Sequence, residues 1–401
     1  MENLVKALQR SMGRTGKKDS GFIYLFISKR LIQGAAAALL SIFVPIFLYE
    51  VSGKQFHVVG LYFALLSLLY AMLLVPGMRI TNSIGFSRAL VLGGIFSVAQ
   101  YVTIYFMNPD NVWILLIPFA VALVGFRIFH WVPYHVDFTL FTKRGERGRV
   151  VSLSFATIAF MGVIGPILAG FIIANAGYQA LFGTAIILLL AATISYAFVP
   201  ATPVHFDWSY LQTLKALFSD KHRGVVVGEF ANGAEVSITL VVWPIFLYEI
   251  FNGDVFEIGA VSTIVVAMTI VIQIFVGRYL DTKKGNSVKT LRIGSTLYAI
   301  GWIFKIFVIS TLQVFMVGLY HNIVKIFTKT PFSAILYDMS AEQGKYVDEF
   351  TVLREMSSHT GRAVGLIIVS GLTFLIPIGW TFVLAAAASL ALNMVYRYHV
   401  K

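Results

Sequence analysis

The hexapeptide Pro-Ile-Phe-Leu-Tyr-Glu at residues 45–50 recurs without a change at residues 244–249. The same spacing aligns further residues on both sides of it: Gln33 with Asn232, Gly34 with Gly233, Gly60 with Gly259, and Asn82 with Asp281. A spacing one residue shorter aligns Arg127 with Lys325. Because a run of matches at one spacing is typical of internal duplication, the chain is predicted to contain two copies of one unit.

The composition indicates what kind of unit is duplicated. Of the 401 residues, 58% are hydrophobic and 12% are charged, a balance that a water-soluble domain could not cover with a polar surface. A helix needs about 20 apolar residues to cross a bilayer. Twelve stretches meet that need and predict an all-α integral membrane protein with twelve transmembrane helices: residues 24–49, 57–77, 88–107, 112–134, 151–174, 181–199, 224–249, 256–277, 290–309, 312–334, 357–376 and 380–396.

The basic residues are distributed unevenly between the two sides of these helices. With the N-terminus in the cytoplasm, only Lys54 is basic among the external loops, and the positive-inside rule is satisfied. We therefore expect a multi-pass protein of the cell's inner membrane with both termini cytoplasmic and the first helix as an uncleaved anchor. The net charge of +12 then reflects these cytoplasmic positions rather than a nucleic-acid partner: Arg79, Arg88, Lys143, Arg144, Arg147, Arg149, Lys283, Lys284, Arg397 and Lys401.

An even number of helices in each copy gives both copies the same orientation in the membrane, related by a pseudo-two-fold axis along the bilayer normal. The chain is therefore predicted to form two parallel six-helix bundles. The N-terminal bundle covers residues 1–199 and the C-terminal bundle covers residues 224–401. A cytoplasmic linker at residues 200–223 joins them.

The linker itself carries a helical pattern. Trp208, Leu211 and Leu214 share one helical face, followed by Leu217 or Phe218, and Asp207 precedes them as an N-cap. An apolar face of this kind is typical of an interfacial helix that lies on the membrane surface. A plain soluble linker is the alternative interpretation.

Residues 277–285 read Gly-Arg-Tyr-Leu-Asp-Thr-Lys-Lys-Gly. They resemble the G-x-x-x-D-(R/K)-x-G signature of the major facilitator superfamily, with the last glycine displaced by one residue. The resemblance covers nearly the whole chain through the two-times-six helix plan. It implies transport by alternating access, with Asp281 closing the cytoplasmic side by pairing with Arg147 or Arg149. An ordinary charged turn is the alternative for Asp281.

The fifth predicted helix is similar to the G-P-x-x-G-G element of the superfamily's proton-driven exporters. This likeness implies a helix that can rock, leans toward export, and gives Gly165 and Pro166 a part in gating. Small residues three or four apart also let helices pack closely, so a plain packing face is the alternative. The residues that carry the likeness are Gly162, Gly165, Pro166, Ala169 and Gly170.

Charged residues within the spans are the main candidates for function, because a charge at the bilayer centre costs about 2.5 to 3.5 kcal/mol by insertion scales. Arg127 lies about 22 Å along the fourth helix from its external end at 1.5 Å per residue, and His130 follows one turn later. By resemblance, Arg127 takes the place of the arginine in the R-x-x-Q-G motif of proton-coupled exporters. In the tenth helix, His321 and Lys325 share a face.

Lys325 is the repeat partner of Arg127, so two cations are expected at related positions of the two copies. Such a site would favour an anionic substrate unless carboxylates from elsewhere neutralise it. Lys329 and Lys305 are expected to snorkel toward the membrane edges. For His321, an interior histidine with satisfied hydrogen bonds is the alternative to a site residue.

The seventh helix supplies the carboxylates Glu229 and Glu235. Glu235 is the deepest acid, and a buried carboxyl that alternates between apolar surroundings and a nearby cation can take up and release a proton. Glu235 is therefore predicted to carry the coupling proton, with Asn232 and Gln33 beside it in the substrate site. Glu229 aligns with Arg30, and the pair is expected to form a gating brace. A solvated Glu229 is the alternative.

These features predict a secondary active transporter that moves a small organic solute by alternating access, coupled to protons and leaning toward export. The alternatives are an organic-anion carrier working by uptake or exchange, and a transporter-like sensor without flux. The chain has no cysteine, no phosphate-binding loop and no metal-ligand spacing, so we expect no enzyme activity, no cofactor and no metal. The expected partners are the solute, protons and the lipid bilayer, with no nucleic acid, and the expected state is a monomer.

Overall fold

The structure, a computed structural model, describes residues 23–141, 147–200, 206–280, 287–341 and 346–397, which are helical apart from short turns and connections. The helices of the first half are α1 (Ile27–Ile32, Gln33–Leu40 and Phe43–Val51), α2 (Phe56–Ile84), α3 (Phe86–Tyr105), α4 (Val112–Phe141), and α5 with α6, which together span Arg147–Tyr196. Those of the second half are α7 (Arg223–Ser237, Ile238–Val242 and Trp243–Ile250), α8 (Val255–Leu280), α9 (Ser287–Ile306), α10 (Thr311–Ala341), α11 (Val347–Leu372) and α12 (Ile378–Thr381, Phe382–Ala391 and Met394–Arg397).

The helices account for the predicted twelve spans. Within the described residues, eight helical stretches are long and apolar enough to cross a membrane. One of them, Ala159–Tyr196, contains both α5 and α6, because Gly177 takes a left-handed φ of 78° that breaks the helix. Three further helices, α9, α10 and α11, are long enough to cross a membrane but less apolar, because they carry charged residues within their length. The all-α membrane fold is thus confirmed.

The chain divides into two compact units. Unit 1 comprises Met1–Ser41 and Pro76–Phe206, and unit 2 comprises Ile42–Val75 and Asp207–Lys401. The C-terminal part of α1 and most of α2 therefore belong with the second-half helices. The chain passes from one unit to the other at two points where the helical hydrogen bonding is interrupted. One is the turn after Leu40 in α1, and the other is the proline inside α2. The predicted division of the chain into one bundle that ends at residue 199 and another that begins at residue 224 remains a prediction.

Both copies of the hexapeptide end in turns of the same construction. The second of two left-handed residues in each turn donates its backbone N–H to the carbonyl of the hexapeptide's tyrosine, at 2.8 Å and 2.9 Å. Glycine and asparagine adopt this conformation at lower cost than other residues, and each turn has at least one glycine. The left-handed pairs are Gly53 with Lys54 and Asn252 with Gly253. The two copies thus share a backbone conformation as well as a sequence.

Within unit 2, the tyrosine of each hexapeptide bonds the glutamate of the other. The Tyr49 hydroxyl donates to Oε1 of Glu249 at 2.7 Å, and the Tyr248 hydroxyl is hydrogen-bonded to Glu50. The two tyrosine rings lie 6.1 Å apart, edge to face. Each carboxylate stands near a helix C-terminus, where the dipole disfavours an anion, and the tyrosine hydroxyl supplies the donor that offsets this cost.

Glycines bring α7 and α11 into backbone contact. A Cβ on Gly233 would collide with the carbonyl of Ser358, and a Cβ on Gly361 would collide with the carbonyl of Phe230. Small residues of this kind are what lets membrane helices approach closely, because no hydrophobic force drives association within lipid. The polar side chains of α7 and α11 are consequently held within reach of one another.

The linker helix runs from Tyr210 to Leu217, with Ser209 as its N-cap in a capping box with Gln212. The expected cap, Asp207, is therefore wrong: its backbone N–H instead donates to Glu349 at 2.9 Å. Serine accepts from the N3 amide as well as aspartate does, and glutamine three residues later completes the box. On the predicted apolar face, Leu211 is 62% exposed, whereas Trp208 and Leu214 are half-buried, so the contact with a membrane surface stays a prediction.

We predict that Gly233→Ala and Gly361→Ala lower the thermal stability of the purified protein in detergent. Each added methyl group meets backbone rather than a flexible side chain, so α7 and α11 must separate, at a cost of about 1 to 3 kcal/mol. Gly371→Ala is the matched control on α11, because no atom lies within 4 Å of its Cβ position. Equal unfolding temperatures for all three variants would contradict the close approach.

Candidate functional site

Glu235 is enclosed in unit 2, with 1% of its surface exposed. Its Oε2 forms an ion pair with Nζ of Lys329 in α10 at 2.6 Å. Its Oε1 accepts hydrogen bonds from the Tyr298 hydroxyl of α9 at 2.7 Å and from the Thr239 hydroxyl, one turn later in α7, at 2.8 Å. Both carboxylate oxygens are engaged, as a buried charge requires.

Polar contacts continue from Glu235 toward the N-terminal end of α7. Nζ of Lys329 also donates to Oδ1 of Asn232 at 2.6 Å, and Nδ2 of Asn232 donates to Oε2 of Glu229 at 3.1 Å. Glu229 in turn holds Arg354 of α11 through two contacts of 2.8 Å. Two buried ion pairs are thus joined by one amide. The expectation that Lys329 snorkels is wrong, because an interior carboxylate lies within its reach.

Two further lysines act on Glu235 through space. Lys305 is buried, and its Nζ lies 4.0 Å from the ring centroids of both Trp243 and Trp302. The expectation that Lys305 snorkels is also wrong, since the faces of two indole rings attract an ammonium group in the interior. Lys325 is half-buried on α10 and interacts electrostatically with Glu235.

His321 lies between the aromatic residues of α9. Its ring centroid is 4.3 Å from that of Tyr298 and 4.7 Å from that of Trp302. Gly301 leaves room for the ring, because a Cβ there would stand 3.0 Å from Nδ1 of His321. This nitrogen is buried and has no hydrogen-bond partner among the described residues. His321 is therefore interior, as the alternative interpretation expected, but its hydrogen bonds are not satisfied.

The predicted site residues of the first half lie in unit 1. Oε1 of Gln33 accepts a hydrogen bond from the Tyr196 hydroxyl at 2.9 Å. The ring of Tyr196 packs edge-on against the buried ring of His130, 5.4 Å between centroids. Arg127, one turn earlier in α4, is half-buried. Gln33 and His130 thus share one aromatic cluster, whereas Asn232, Glu235, His321 and Lys325 gather in unit 2.

A second group of ionisable side chains lies on α11. Glu355 accepts a hydrogen bond from the Tyr70 hydroxyl of α2 at 3.2 Å and stands 3.8 Å from Nε2 of His359. The rings of Tyr70 and His359 are 4.2 Å apart. Arg362, two turns after Glu355, interacts with it electrostatically. These contacts tie α2 to α11 within unit 2.

Of the predicted gating residues, the structure describes Gly165, Pro166 and Glu229. Pro166 lies within α5, and a Cβ on Gly165 would come within 3 Å of the backbone of Ala38 in α1. The other pairings stay predictions, because these residues lie outside the part of the chain that the structure describes: Asp281 and the side chains of Arg30, Arg147 and Arg149.

Comparison with known proteins shows which family and which solved structures the chain is similar to. A sequence model of the Major Facilitator Superfamily matches residues 30–222. A POT family transporter in complex with 5-aminolevulinic acid has a TM-score of 0.69 over 94% of this chain and 95% of its own, at 10% identity. The human organic anion transporter TETRAN gives 0.67 over 95% and 100%, at 12% identity. In sequence over residues 30–222 and in fold, the chain is similar to the major facilitator superfamily.

Further similarities agree with this assignment. The nucleoside transporter NupG has a TM-score of 0.62 over 95% of this chain and 98% of its own, at 13% identity. In sequence, the chain is 24% identical to the protein YqgE of Bacillus subtilis (strain 168) over 343 residues, covering 82% of this chain and 77% of the relative. The protein is thus a multi-pass membrane protein, and its likeness to this superfamily indicates an MFS-type carrier.

Sequence reasoning missed three members of the carrier's polar network, Tyr298, Thr239 and Arg354. Arg354 lay outside the span predicted at residues 357–376, whereas α11 begins at Val347. The apolar run begins only after the charged first turns, so hydropathy placed the boundary too late. Tyr298 and Thr239 carry no charge, and only the packing of α9 against α7 identifies them as donors to Glu235.

We predict that Lys329→Met destabilises the carrier by about 3 to 5 kcal/mol, because it leaves the Glu235 carboxylate buried without its ion-pair partner. The double variant Glu235→Gln with Lys329→Met should recover most of that loss. The measurement is thermal unfolding in detergent, with Lys289→Met, an exposed lysine of α9, as the control. A Lys329→Met variant as stable as the parent would show that the pair is not formed.

Proposed function

We propose that this carrier is a secondary active transporter that moves a small organic solute across the cytoplasmic membrane by alternating access, coupled to protons through Glu235. The observation that carries the proposal is the buried ion pair of Glu235 with Lys329. An ionised pair inside a membrane is costly and is typical of proton relays and substrate pathways.

The pair provides a physical route for coupling. Protonation of Glu235 removes its charge and with it the attraction that holds Lys329. The released ammonium group can then stay on Asn232 or turn to a bound solute, since it already contacts both Glu235 and Asn232. Loss of the proton restores the pair and expels what replaced it. Proton and solute occupancy are thereby linked through one lysine.

The second ion pair supports the same proposal. Glu229 lies two turns before Glu235 in α7 and is bonded to Asn232 and to Arg354. Asn232 therefore joins the two ion pairs, although its neutral amide does not itself relay protons. When Lys329 leaves Glu235, the hydrogen bonds of Asn232 change, and the environment of the Glu229 carboxylate changes with them.

For gating, we propose that Asp281 pairs with Arg147 or Arg149 on the cytoplasmic side and that Arg30 braces Glu229. The glycine and proline of α5, Gly165 and Pro166, would let that helix rock. Export is the favoured direction because α5 resembles that of proton-driven exporters. These residues are the sites at which single substitutions should change the balance of inward- and outward-facing states.

Organic-anion transport is the second candidate function. The observation that favours it is the excess of lysines over carboxylates around Glu235. Among similar structures, one is described as an organic anion transporter and another as a transporter in complex with 5-aminolevulinic acid, which has a carboxylate. A carrier of this kind would work by uptake or exchange.

The coupling proposal predicts solute-dependent proton flux in proteoliposomes that hold a trapped pH dye. The parent should acidify or alkalinise the lumen when a transported solute is added from a broad panel, and Glu235→Gln should reduce this flux at least about tenfold, because it has no proton to exchange. Asp110→Asn, an exposed acid in a loop, is the control variant.

Two outcomes would count against the proposal. Solute uptake that is unaffected by both the pH gradient and Glu235→Gln would exclude this residue as the proton carrier. Thermal stabilisation by solutes without any flux in the parent would instead indicate a transporter-like sensor.

The proposed orientation can be checked by labelling, because the chain has no cysteine of its own. Asp110→Cys should react with a membrane-impermeant maleimide in intact cells, since the loop after α3 is proposed to be external. Lys215→Cys, in the linker helix, should react only after the cells are opened. The reverse pattern would place both termini outside the cytoplasm.

A further inference from the structure

The interior of unit 2 has more positive than negative groups near Glu235. The ammonium groups of Lys305, Lys325 and Lys329 all interact with this one carboxylate. Glu229 does not correct the imbalance, because its own charge is matched by Arg354 at 2.8 Å. The region therefore carries an excess of cations that the described part of the chain does not neutralise.

Glu235 forms its ion pair with Lys329 rather than with Lys325. One of its oxygens is taken by Lys329 at 2.6 Å, and the other accepts from the hydroxyls of Tyr298 and Thr239. Lys325 itself forms no hydrogen bond and no ion pair within the described residues. A half-buried ammonium group without a counter-ion is costly in a membrane interior, and an anion from outside the chain would lower that cost.

His321 stands one turn before Lys325 on the same face of α10. It is 4% exposed, and its Nδ1 has no hydrogen-bond partner in the described chain. Its ring is fixed by contact with Tyr298 and Trp302, and Trp302 also holds the ammonium group of Lys305. The unpartnered ring nitrogen of His321 and the ammonium group of Lys305 are thus held by the same side chain, Trp302, and Lys325 lies one turn away on α10.

We propose that Lys325, His321 and Lys305 form a subsite for the anionic group of the transported solute, with Lys325 making the direct ion pair. This inference rests on the proposed transport function and names its substrate class: small organic carboxylates. A carboxylate fits because it is planar, carries one charge and can accept hydrogen bonds from two donors at once. Lys329 and Glu235 remain the proton-coupling pair, and Lys325 recognises the cargo.

The test is binding to the purified protein in nanodiscs of zwitterionic lipid, which contain no competing anionic headgroup. The probes are acetate, benzoate, succinate and citrate, each paired with its neutral amide. Thermal stabilisation by at least one carboxylate, without stabilisation by its amide, is expected for the parent. Lys325→Gln should lower the affinity for that carboxylate about tenfold, whereas Lys325→Arg should keep most of the parent's affinity. Lys289→Gln, which removes one exposed lysine, is the control.

The outcomes separate this inference from the coupling proposal. Three outcomes would overturn the anion subsite. The first is an amide that stabilises the protein as strongly as its carboxylate, and the second is no response to any carboxylate. The third is an affinity in Lys325→Gln equal to that of the parent. Loss of affinity in Lys325→Arg equal to that in Lys325→Gln would also overturn it, because charge would then not be the reason. Binding that depends on Lys325 in a protein without proton-linked flux would support the subsite and reject coupling through Glu235.

Discussion

The ion pair between Glu235 and Lys329 places the strongest constraint on this carrier. In a low-dielectric interior, neither charge is tolerable alone, and the pair persists only because Tyr298, Thr239 and Asn232 occupy the remaining hydrogen-bonding positions. Three helices, α7, α9 and α10, must therefore hold their register to within the length of a hydrogen bond. Any movement that changes this register changes the charge balance of the site. A change in the charge of Glu235 or Lys329 likewise changes the register that these helices can hold.

The close packing of α7 against α11 serves the same constraint. Gly233 and Gly361 allow backbone contact, and this contact lets Arg354 reach Glu229 across the helix pair. The glycines and the ion pairs therefore depend on each other. Without the close approach, the second ion pair would lengthen, and Glu229 would lose the cation that makes its burial tolerable.

Duplication and divergence have different consequences in this chain. The copies of the hexapeptide retain the same turns and exchange equivalent tyrosine–glutamate hydrogen bonds within unit 2. The positions that differ carry the chemistry: Glu235 has no acidic counterpart in α1, where Ala36 stands at the equivalent position. A duplicated scaffold thus carries an asymmetric set of charges, and the proposed proton site would lie in the second half alone.

The sequence by itself determined the membrane class, the twelve helices and the duplication, because these depend on apolar length and on repetition along the chain. It also singled out Glu235 and Lys325 as candidate site residues, since a charge within an apolar run is conspicuous. It misjudged Lys329, Lys305 and the linker cap, and it missed Tyr298 and Arg354. These errors concern which side chains meet across helices. That choice depends on the rotation and spacing of α7, α9, α10 and α11, which only the tertiary structure decided, because an ammonium group binds whichever carboxylate or ring lies within a few ångströms.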